Sequence, residues 1–403
     1  MISTNKIRLI TFLLMIASLM FCLLFLQNSG KTKSRAHFKH WLMVLSKNKT
    51  RAHSFKKKLE LKWMLSNLTG ISHNDHNKTD ALITPIPHAS HRQCGRERDH
   101  ETNGFRVLMN TKDLIKQISI RNGGQELLLR HHARRLIHGM TFDCEEWMLE
   151  IKLNELGNII DHFILVEGKF TLQNTPRVQC FPSIMRTNER ISKWEHKIVY
   201  IYDENPIVGF EYWEAEVYYR NLIGVAGLEK IRDLEQDDLV IVTDIDEMPH
   251  ASFLEVLKTY DGFKTAVNLH MLWSYYSYKW VNPKSWSINA IVSIGELIRV
   301  GNQTNRVRFD LLSITDGWST GPDMIVGWHC SWCMPTKRFI DKMAHFAHSE
   351  LNQHRFRDEV WLDNMRAQGL WFPDSAPNGC VQTQIQMPEY VRNNSHQFQV
   401  ICM

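Results

Sequence analysis

The apolar and polar positions over the last two thirds of the chain alternate between strand-like and helix-like patterns. Three short, mostly apolar segments lie at residues 161–167, 197–202 and 239–242. Such runs are typical of strands buried inside a sheet. Residues 146–156 carry apolar side chains at helical spacing before Gly157, a good C-terminal stop, and a second helix is predicted over 212–227. The alternation predicts an α/β domain with a mixed, mostly parallel sheet.

The pattern is less regular in the C-terminal part, where it predicts a strand over 266–273 and a helix over 337–351. From residue 31 to about residue 138 the chain is polar, rich in Lys, Arg, His, Asn and Ser, and poor in aromatic residues. We interpret residues 27–138 as a partly disordered stem, residues 139–390 as the folded domain and residues 391–403 as a C-terminal tail.

An uninterrupted apolar run over residues 9–26 has only Thr11 and Ser18 as polar members. It is long enough to span a bilayer, and no small-residue cleavage site follows it. These features favour an uncleaved signal anchor over a removed signal peptide, with residues 1–8 as a cytoplasmic tail. Charge leaves the orientation open, because basic residues flank the run on both sides.

Glycosylation sequons and cysteines indicate which side of the membrane the domain occupies. Five sequons of the form N-x-S/T begin at Asn48, Asn67, Asn77, Asn302 and Asn393. Three of them crowd behind the anchor, which suits the lumenal, glycosylated side of a single-pass type II protein. Cysteines in that oxidising compartment should largely be disulfide-bonded. Seven lie outside the anchor, so at least one is free or pairs between chains.

Length and charge narrow the class of protein only slightly. The chain of 403 residues has room for one large α/β domain or two smaller ones. Its net charge of +5 is mild, and much of the basic excess lies before residue 140. A basic segment behind a membrane anchor is more simply a solvated stem than a nucleic-acid-binding surface, so we expect no nucleic-acid partner.

Asp244 and Asp246 are the clearest chemical signal, since they directly follow the buried run 239–242. Ligands bind at strand ends in open α/β sheets, and carboxylates suit Mg²⁺ or Mn²⁺. Asp246 is the first choice for metal contact, with Asp244 nearby on the metal or the ribose. Alternation along a strand would let the pair converge on one ligand and turn Glu247 towards the backbone or a supporting partner. The alternative is that these acids cap the next helix.

Four blocks in this order resemble glycosyltransferase family 17. They are residues 145–155 followed by Val166 and Glu167, the W-x-x-E-x-x-x-R-N segment 213–221, the D-x-D-E segment 243–249, and GWHCSWC at 327–333. The last block is highly specific, and the resemblance covers roughly residues 140–375. We therefore expect a member of that family.

The resemblance implies a GT-A-like nucleotide-diphospho-sugar transferase domain. It also implies UDP-N-acetylglucosamine as donor, a divalent metal (Mn²⁺ or Mg²⁺), and an inverting reaction. That reaction would form a β1,4 bond to the core β-linked mannose of an N-glycan on a glycoprotein. The anchor, the stem and the sequons suit a Golgi membrane protein whose catalytic domain is lumenal.

Within this frame, Glu216 and Arg220 lie four residues apart on one predicted helix, which is ion-pair spacing. The pair is either a surface salt bridge or, as the resemblance suggests, places Arg220 where it binds a phosphate. By resemblance to GT-A strand ends, Glu167 would contact the nucleotide; a helix cap or a core ion pair is the alternative.

His329 follows another short strand and is either a third metal ligand or a buried structural histidine. Cys330 and Cys333 show C-x-x-C spacing, which alone suggests zinc or a redox pair. No second such pair lies at zinc-site spacing, so we favour structural disulfides, with each other or with Cys380. Core packing is favoured for Trp328 and Trp332 over sugar stacking.

An inverting transfer needs a general base, usually Asp or Glu. The candidate carboxylates are Asp316, Asp323, Glu350 and Asp358. Glu350 is chosen because it follows the predicted helix after the His329 block, although it could equally be a solvated helix end.

Two other functions stay open. The segment 279–308 departs from the family pattern, so the enzyme could use another donor or acceptor. A membrane-anchored carbohydrate-binding protein that has lost catalysis is the other alternative, and the intact Asp244 and Asp246 argue against it.

Overall fold

The computed structural model describes residue 107 and residues 110–206, 212–373, 376–377, 380–381 and 385–402. The predicted anchor, most of the predicted stem and the sequons at Asn48, Asn67 and Asn77 lie outside these residues. Within the described part of the chain, no helix is long and apolar enough to cross a bilayer.

Strands are numbered in chain order. Those of the described residues are β1 Leu128–Leu129, β2 Leu136–Thr141, β3 His162–Gly168, β4 Ile198–Asp203, β5 Leu239–Val242, β6 Glu247–Pro249, β7 Tyr260–Asp261, β8 Val267–Asn268, β9 His270–Tyr275, β10 Ser277–Val281, β11 Ala290–Ser293, β12 Trp318–Ser319, β13 Ile325–Ser331, β14 Leu370–Trp371, β15 Ala376–Pro377 and β16 Cys380–Val381.

The α-helices follow the same rule. They are α1 Thr111–Arg121, α2 Glu146–Leu156, α3 Phe181–Thr187, α4 Glu189–Ser192, α5 Tyr212–Leu222, α6 Ala251–Thr259, α7 Ile294–Arg299, α8 Thr304–Ile314, α9 Thr336–Met343, α10 Glu359–Ala367, α11 Glu389–Asn393 and α12 Gln399–Cys402.

Two mixed sheets organise the molecule, which is a mixed α/β fold. The larger has the order β12-β8-β11-β5-β2-β3-β4. Its strands β4, β3, β2 and β5 are parallel, whereas β11 is antiparallel to both of its neighbours, β5 and β8. The smaller sheet has the order β16-β10-β9-β13-β6, in which only β9 and β13 are parallel. The expected mostly parallel sheet is therefore the larger one, and the smaller sheet was not predicted.

The larger sheet is covered on both faces, because alternate residues of a strand point to opposite sides. Phe163 and Leu165 of β3 join one apolar core with α2, while Ile164 and Val166 join the other core with α5. Burying each of these side chains contributes roughly 1.5–3 kcal/mol. The continuous apolar runs in the sequence result from this burial on both faces.

Several predicted boundaries are corrected by the structure. The folded domain begins before residue 139, because α1 buries Leu114 and Ile118 in the main core. The predicted tail 391–403 also belongs to the domain, since Phe398 and Ile401 are fully buried in that core. The predicted strand 266–273 is two strands, β8 and β9, that belong to different sheets.

Two predicted helices differ from expectation: one changes its helix type along its length, and the other is shorter than predicted. The helix expected over 212–227 begins as α5 and continues as a π-helix over Ile223–Gly227. The helix expected over 337–351 is the shorter α9, which ends at Met343. The side-chain amide of Gln173 donates to the carbonyls of Met343 and Phe346, and so binds the groups at this helix end.

Candidate active-site cleft

A cleft of about 370 Å³ opens beyond the carboxyl ends of β2, β3 and β5. This edge of a parallel sheet is where ligands bind in open α/β folds. Helices α5 and α8 form one wall, and β13 with the end of α9 forms another. The Asp244–Asp246 segment lines the cleft between them. The cleft therefore collects most of the residues that the sequence analysis selected.

Asp244 and Asp246 lie in a turn rather than in a strand, because β5 ends at Val242 and β6 begins at Glu247. The expected alternation along a strand does not apply to this turn. Each aspartate consequently has surroundings of its own, and the expectation that the two converge on one ligand is not what the geometry gives.

A buried lysine that the sequence analysis did not select supports this turn. Lys152 of α2 donates from Nζ to Asp244 O at 2.7 Å and to Thr243 Oγ1 at 3.1 Å. His138 Nε2 also contacts Thr243 Oγ1, at 2.7 Å. Burial lowers the pKa of Lys152 to about 7. The signal in the sequence was a lysine on the apolar face of a helix, one turn before Leu156.

Asp244 is bound by two arginines. Its Oδ1 accepts from Arg220 Nη2 at 3.0 Å and its Oδ2 accepts from Arg308 Nη2 at 2.6 Å. Burial would raise the pKa of this carboxyl, but Arg308 and Arg220 hold it well below its usual range. Both carboxylate oxygens are therefore engaged by protein cations.

Glu247 supports both Asp244 and Arg308. It is fully buried, and its Oε2 accepts from the backbone N–H of Asp244 at 3.0 Å. The same carboxylate accepts from Arg308 Nη1 at 2.7 Å and from Trp286 Nε1 at 2.7 Å. Glu247 thus orients the backbone and a supporting partner.

Arg220 is a cleft residue and not part of a surface salt bridge, because its side chain is only 3% exposed. It donates from Nη2 to Glu216 Oε1 at 2.5 Å and from Nη1 to Asn305 Oδ1 at 2.7 Å. Burial alone would lower the pKa of Arg220. The neighbouring carboxylates Asp244 and Glu216 outweigh this effect, so the pKa of Arg220 lies above its ordinary value.

Asp246 faces a different set of neighbours. Its Oδ1 lies 3.6 Å from His329 Nε2, and its Oδ2 lies 3.7 Å from Lys342 Nζ. Lys342 also lies 3.2 Å from Glu145 Oε1, and the carboxylates Asp246 and Glu145 raise the pKa of Lys342 in spite of its burial. Among the described residues, no hydrogen bond reaches the Asp246 carboxylate.

Asp246 and His329 fit a divalent metal better than Asp244 does. Asp246 Oδ1 and His329 Nε2 face each other across 3.6 Å, and His329 Nε2 also lies 3.1 Å from Ser331 Oγ. One or two protein ligands, completed by substrate phosphates and water, are common for Mg²⁺. Within the described chain, Asp244, Asp246 and His329 do not form a set of donors within 4.8 Å of one another. The set that does, Cys144, Glu167 and Cys180, consists of a disulfide and a helix cap.

Glu167 lies outside the cleft and is fully buried. Its carboxylate accepts from the backbone N–H groups of Cys180 and Phe181 at 2.8 and 3.2 Å and from Tyr200 Oη at 2.6 Å. These contacts cap the start of α3, which is the alternative role weighed for this residue and not contact with a nucleotide.

Glu350 also lies outside the cleft. It belongs to an exposed 3₁₀ turn, its side chain is 61% exposed, and it bonds His348 Nδ1 at 2.5 Å. The other candidate bases do not line the cleft either. Asp316 and Asp323 form exposed ion pairs, and Asp358 caps α10. The location of a base among distant elements could not be read from local sequence.

The remaining candidates are structural or lie at the surface. Cys330 and Cys333 form a disulfide with each other, and Cys402 is a free thiol. Trp328 is buried in the core, whereas Trp332 both lines the cleft and stacks on Phe339. Of the sequons in the described chain, Asn393 is exposed, while Asn302 is half-buried with a shielded amide oxygen.

Comparison with known proteins identifies a family and three named relatives. The model of the family described as glycosyltransferase family 17 matches residues 124–372. Proteins named β-1,4-mannosyl-glycoprotein 4-β-N-acetylglucosaminyltransferase from Rattus norvegicus and Mus musculus are each 26% identical over 302 residues. The Homo sapiens protein of that name is 26% identical over 299 residues. The alignments cover 68–69% of this chain, which spans 56% of the length of these relatives.

Proposed function

Because the chain belongs to glycosyltransferase family 17, we propose that it transfers N-acetylglucosamine from UDP-N-acetylglucosamine to N-glycans. The relatives' name supplies the sugar and the mannosyl-glycoprotein acceptor. The bond formed would be a β1,4 linkage to the core β-linked mannose, made with inversion and with a divalent metal. One observation carries the proposal: Asp246 Oδ1 and His329 Nε2 face each other at 3.6 Å in the cleft. The same cleft contains the cations Arg220, Arg308 and Lys342.

A GT-A-like fold is part of the proposal. It is supported by the parallel strands β4, β3, β2 and β5, by the antiparallel β11 beside them, and by the smaller second sheet. The cleft lies at the carboxyl ends of the parallel strands, where a nucleotide would bind.

Asp246 with His329 would hold Mn²⁺ or Mg²⁺, which would offset the charge of the diphosphate leaving group. The chain's own cations act beside it. Lys342 keeps its proton at physiological pH, because its pKa is raised by the neighbouring carboxylates. Its ammonium would stabilise the negative charge that develops as UDP departs. Arg220 and Arg308 are fixed by Asp244 on the opposite side.

The proposed site of action is the Golgi lumen, with residues 9–26 as the anchor of a type II membrane protein. The apolar run and the three sequons behind it support this location. Fluorescence microscopy of the tagged chain, with and without residues 1–26, tests it; staining outside the Golgi would contradict it.

The activity is tested by incubating the full chain with a panel of UDP-sugars and a defined biantennary N-glycan. Parallel reactions contain Mn²⁺, Mg²⁺ or EDTA, and the linkage of each product is read by NMR. We expect N-acetylglucosamine on the core β-linked mannose and no transfer in EDTA. Transfer of another sugar or to another position would replace this function with the alternative transferase, to which the 279–308 segment points. Glycan binding without turnover would identify a carbohydrate-binding protein.

A further inference from the structure

Among the described residues, five carboxylates line the cleft, and their hydrogen bonds differ. They are Asp143, Glu145, Glu216, Asp244 and Asp246. A general base must have an oxygen that can accept a proton from the substrate, so a carboxylate with both oxygens bound to cations or backbone is a poor base. Accounting for each oxygen therefore identifies which of the five can act.

Three of the five have both oxygens engaged. Asp143 bonds Arg177 through Oδ1 and His345 through Oδ2. Glu145 is paired with Lys342 through Oε1 and accepts from the backbone N–H of Asp143 through Oε2. Asp244 is bound by two arginines.

Two carboxylates remain. Asp246 faces His329 and is accounted for by the proposed metal. Glu216 bonds Arg220 through Oε1, and no hydrogen bond from the described residues reaches its Oε2. The Glu216 side chain is 20% exposed, so this oxygen belongs to a group that solvent and substrate can reach.

We propose that Glu216 is the general base of the transfer. This rests on the proposed function. The acceptor hydroxyl oxygen attacks the anomeric carbon of the donor, and its proton moves to Glu216 Oε2. The bond between the anomeric carbon and the phosphate oxygen breaks, and its electron pair leaves with UDP.

The surroundings of Glu216 suit a sugar acceptor. Trp213 lies one turn earlier on α5, is 51% exposed and also lines the cleft. Its indole offers a flat apolar face of the kind on which a pyranose ring can stack. Arg220 on the next turn fixes the other oxygen of Glu216, so the carboxylate has a defined orientation.

The charged groups that face Glu216 come from several elements. Arg220 is on its own helix, Arg308 is on α8, and Asp244 lies beyond both in the turn after β5. His348 packs edge-on against Trp213 at 4.6 Å. Because these neighbours also influence the pH profile of the enzyme, the profile of each Glu216 variant is compared with that of the unaltered enzyme.

The test is Glu216→Gln in the full chain, with Glu214→Gln as the matched control. Glu214 is a carboxylate on the same helix and is not among the described residues that line the cleft. We expect Glu216→Gln to lower kcat by roughly 10²–10⁴-fold, the usual contribution of general base catalysis. UDP affinity should stay close to that of the unaltered protein, and Tm should fall only modestly, because the amide oxygen of the new side chain can still accept from Arg220 although the charge is lost. Glu214→Gln should retain its kcat.

Two further readouts separate a base from a binding residue. The acidic limb of the kcat–pH profile should vanish in Glu216→Gln, and formate should restore part of the activity of Glu216→Ala. Unchanged kcat in Glu216→Gln, or a loss confined to the KM for UDP-N-acetylglucosamine, would overturn the assignment. If the unaltered protein transfers no sugar at all, the proposed function fails instead.

Discussion

Asp244 and Asp246 are two positions apart, yet their neighbours give them different chemistry. Asp244 neutralises two buried arginines, whereas Asp246 keeps its oxygens free of hydrogen bonds from the described residues and faces an imidazole. The motif in the sequence identified both residues but not this division, because it depends on Arg308 and His329, which are distant in the chain.

Substitution should separate the two roles. Asp246→Ala should abolish transfer and Mn²⁺ binding while lowering Tm only modestly, because no hydrogen bond is lost and Lys342 keeps Glu145 as a charged partner. Asp244→Asn should retain much of the Mn²⁺ affinity but lower stability by roughly 1–3 kcal/mol, because Arg220 and Arg308 lose a charged partner. Thermal unfolding and Mn²⁺ titration followed by EPR measure both. Equal loss of Mn²⁺ binding in the two variants would contradict this division.

Lys152 should make stability depend on pH. Burial lowers its pKa from 10.5 to about 7 in the folded chain, so between these values the unfolded chain binds more protons. Stability therefore rises with pH across this window, by at most about 1.4 kcal/mol per pH unit. Lys152→Met should flatten that rise, and urea unfolding of both proteins between pH 7 and 9 measures the difference. A parallel pH dependence in the two proteins would show that Lys152 is not its source.

At the scale of elements, the sequence predicted segments whose ends are set locally. The helix 146–156 has the predicted bounds, and Gly157 is its C-cap residue, with right-handed φ and ψ. The strand over 266–273 was wrong, since the chain passes from one sheet to the other near Leu269. Helix α9 is shorter than predicted because its end is bound by Gln173, which is far away in sequence. Non-local contacts of this kind leave no periodic signal.

Close packing at Gly139 holds the α5 wall of the cleft against the sheet. A Cβ added at Gly139 would lie 2.1 Å from Ile223 Cγ2, at the start of the π-helix that continues α5. Gly139→Ala should push this element outwards, lower stability by roughly 1–3 kcal/mol and reduce kcat/KM.

Gly295→Ala is the control for this prediction. Its added Cβ would lie 3.3 Å from Gln236 O, a milder contact that is remote from the cleft. Thermal unfolding and transfer assays on the two variants compare them. Similar losses of activity in both would contradict a specific role for the packing at Gly139.

At the scale of the molecule, the two disulfides among the described residues should differ in their contribution to stability. Cys144 and Cys180 are 36 residues apart, whereas Cys330 and Cys333 are 3 apart. A longer closed loop removes more entropy from the unfolded chain: about 4 kcal/mol for the first bond and under about 2 kcal/mol for the second. Replacing Cys144 and Cys180 with Ala should lower Tm more than the same change at Cys330 and Cys333. Calorimetry measures both, and equal losses would refute the loop-length argument.

The same scale explains which site residues the sequence could give. Asp246, Arg220 and His329 line the cleft, and each was selected because it lies in a short motif beside a strand or helix. Glu350 and Glu167 were chosen on the same local grounds, but the fold places both outside the cleft. The free oxygen of Glu216 could be recognised only after the partners of the other carboxylates were known.

The turn that carries the two aspartates is also the junction of the two sheets, since β5 belongs to the larger and β6 to the smaller. The position of Asp246 is tied to the smaller sheet, because its backbone carbonyl accepts a hydrogen bond from the N–H of Cys330 in β13 at 3.0 Å. The position of Asp244 is tied to α5 and α8, which pack on the larger sheet, because Arg220 and Arg308 bind its carboxylate. A chimera that took one sheet from this chain and the other from a relative would therefore divide the motif between two parents. Both aspartates would be retained, but the distance between the arginines and the proposed metal ligands would no longer be set by one protein.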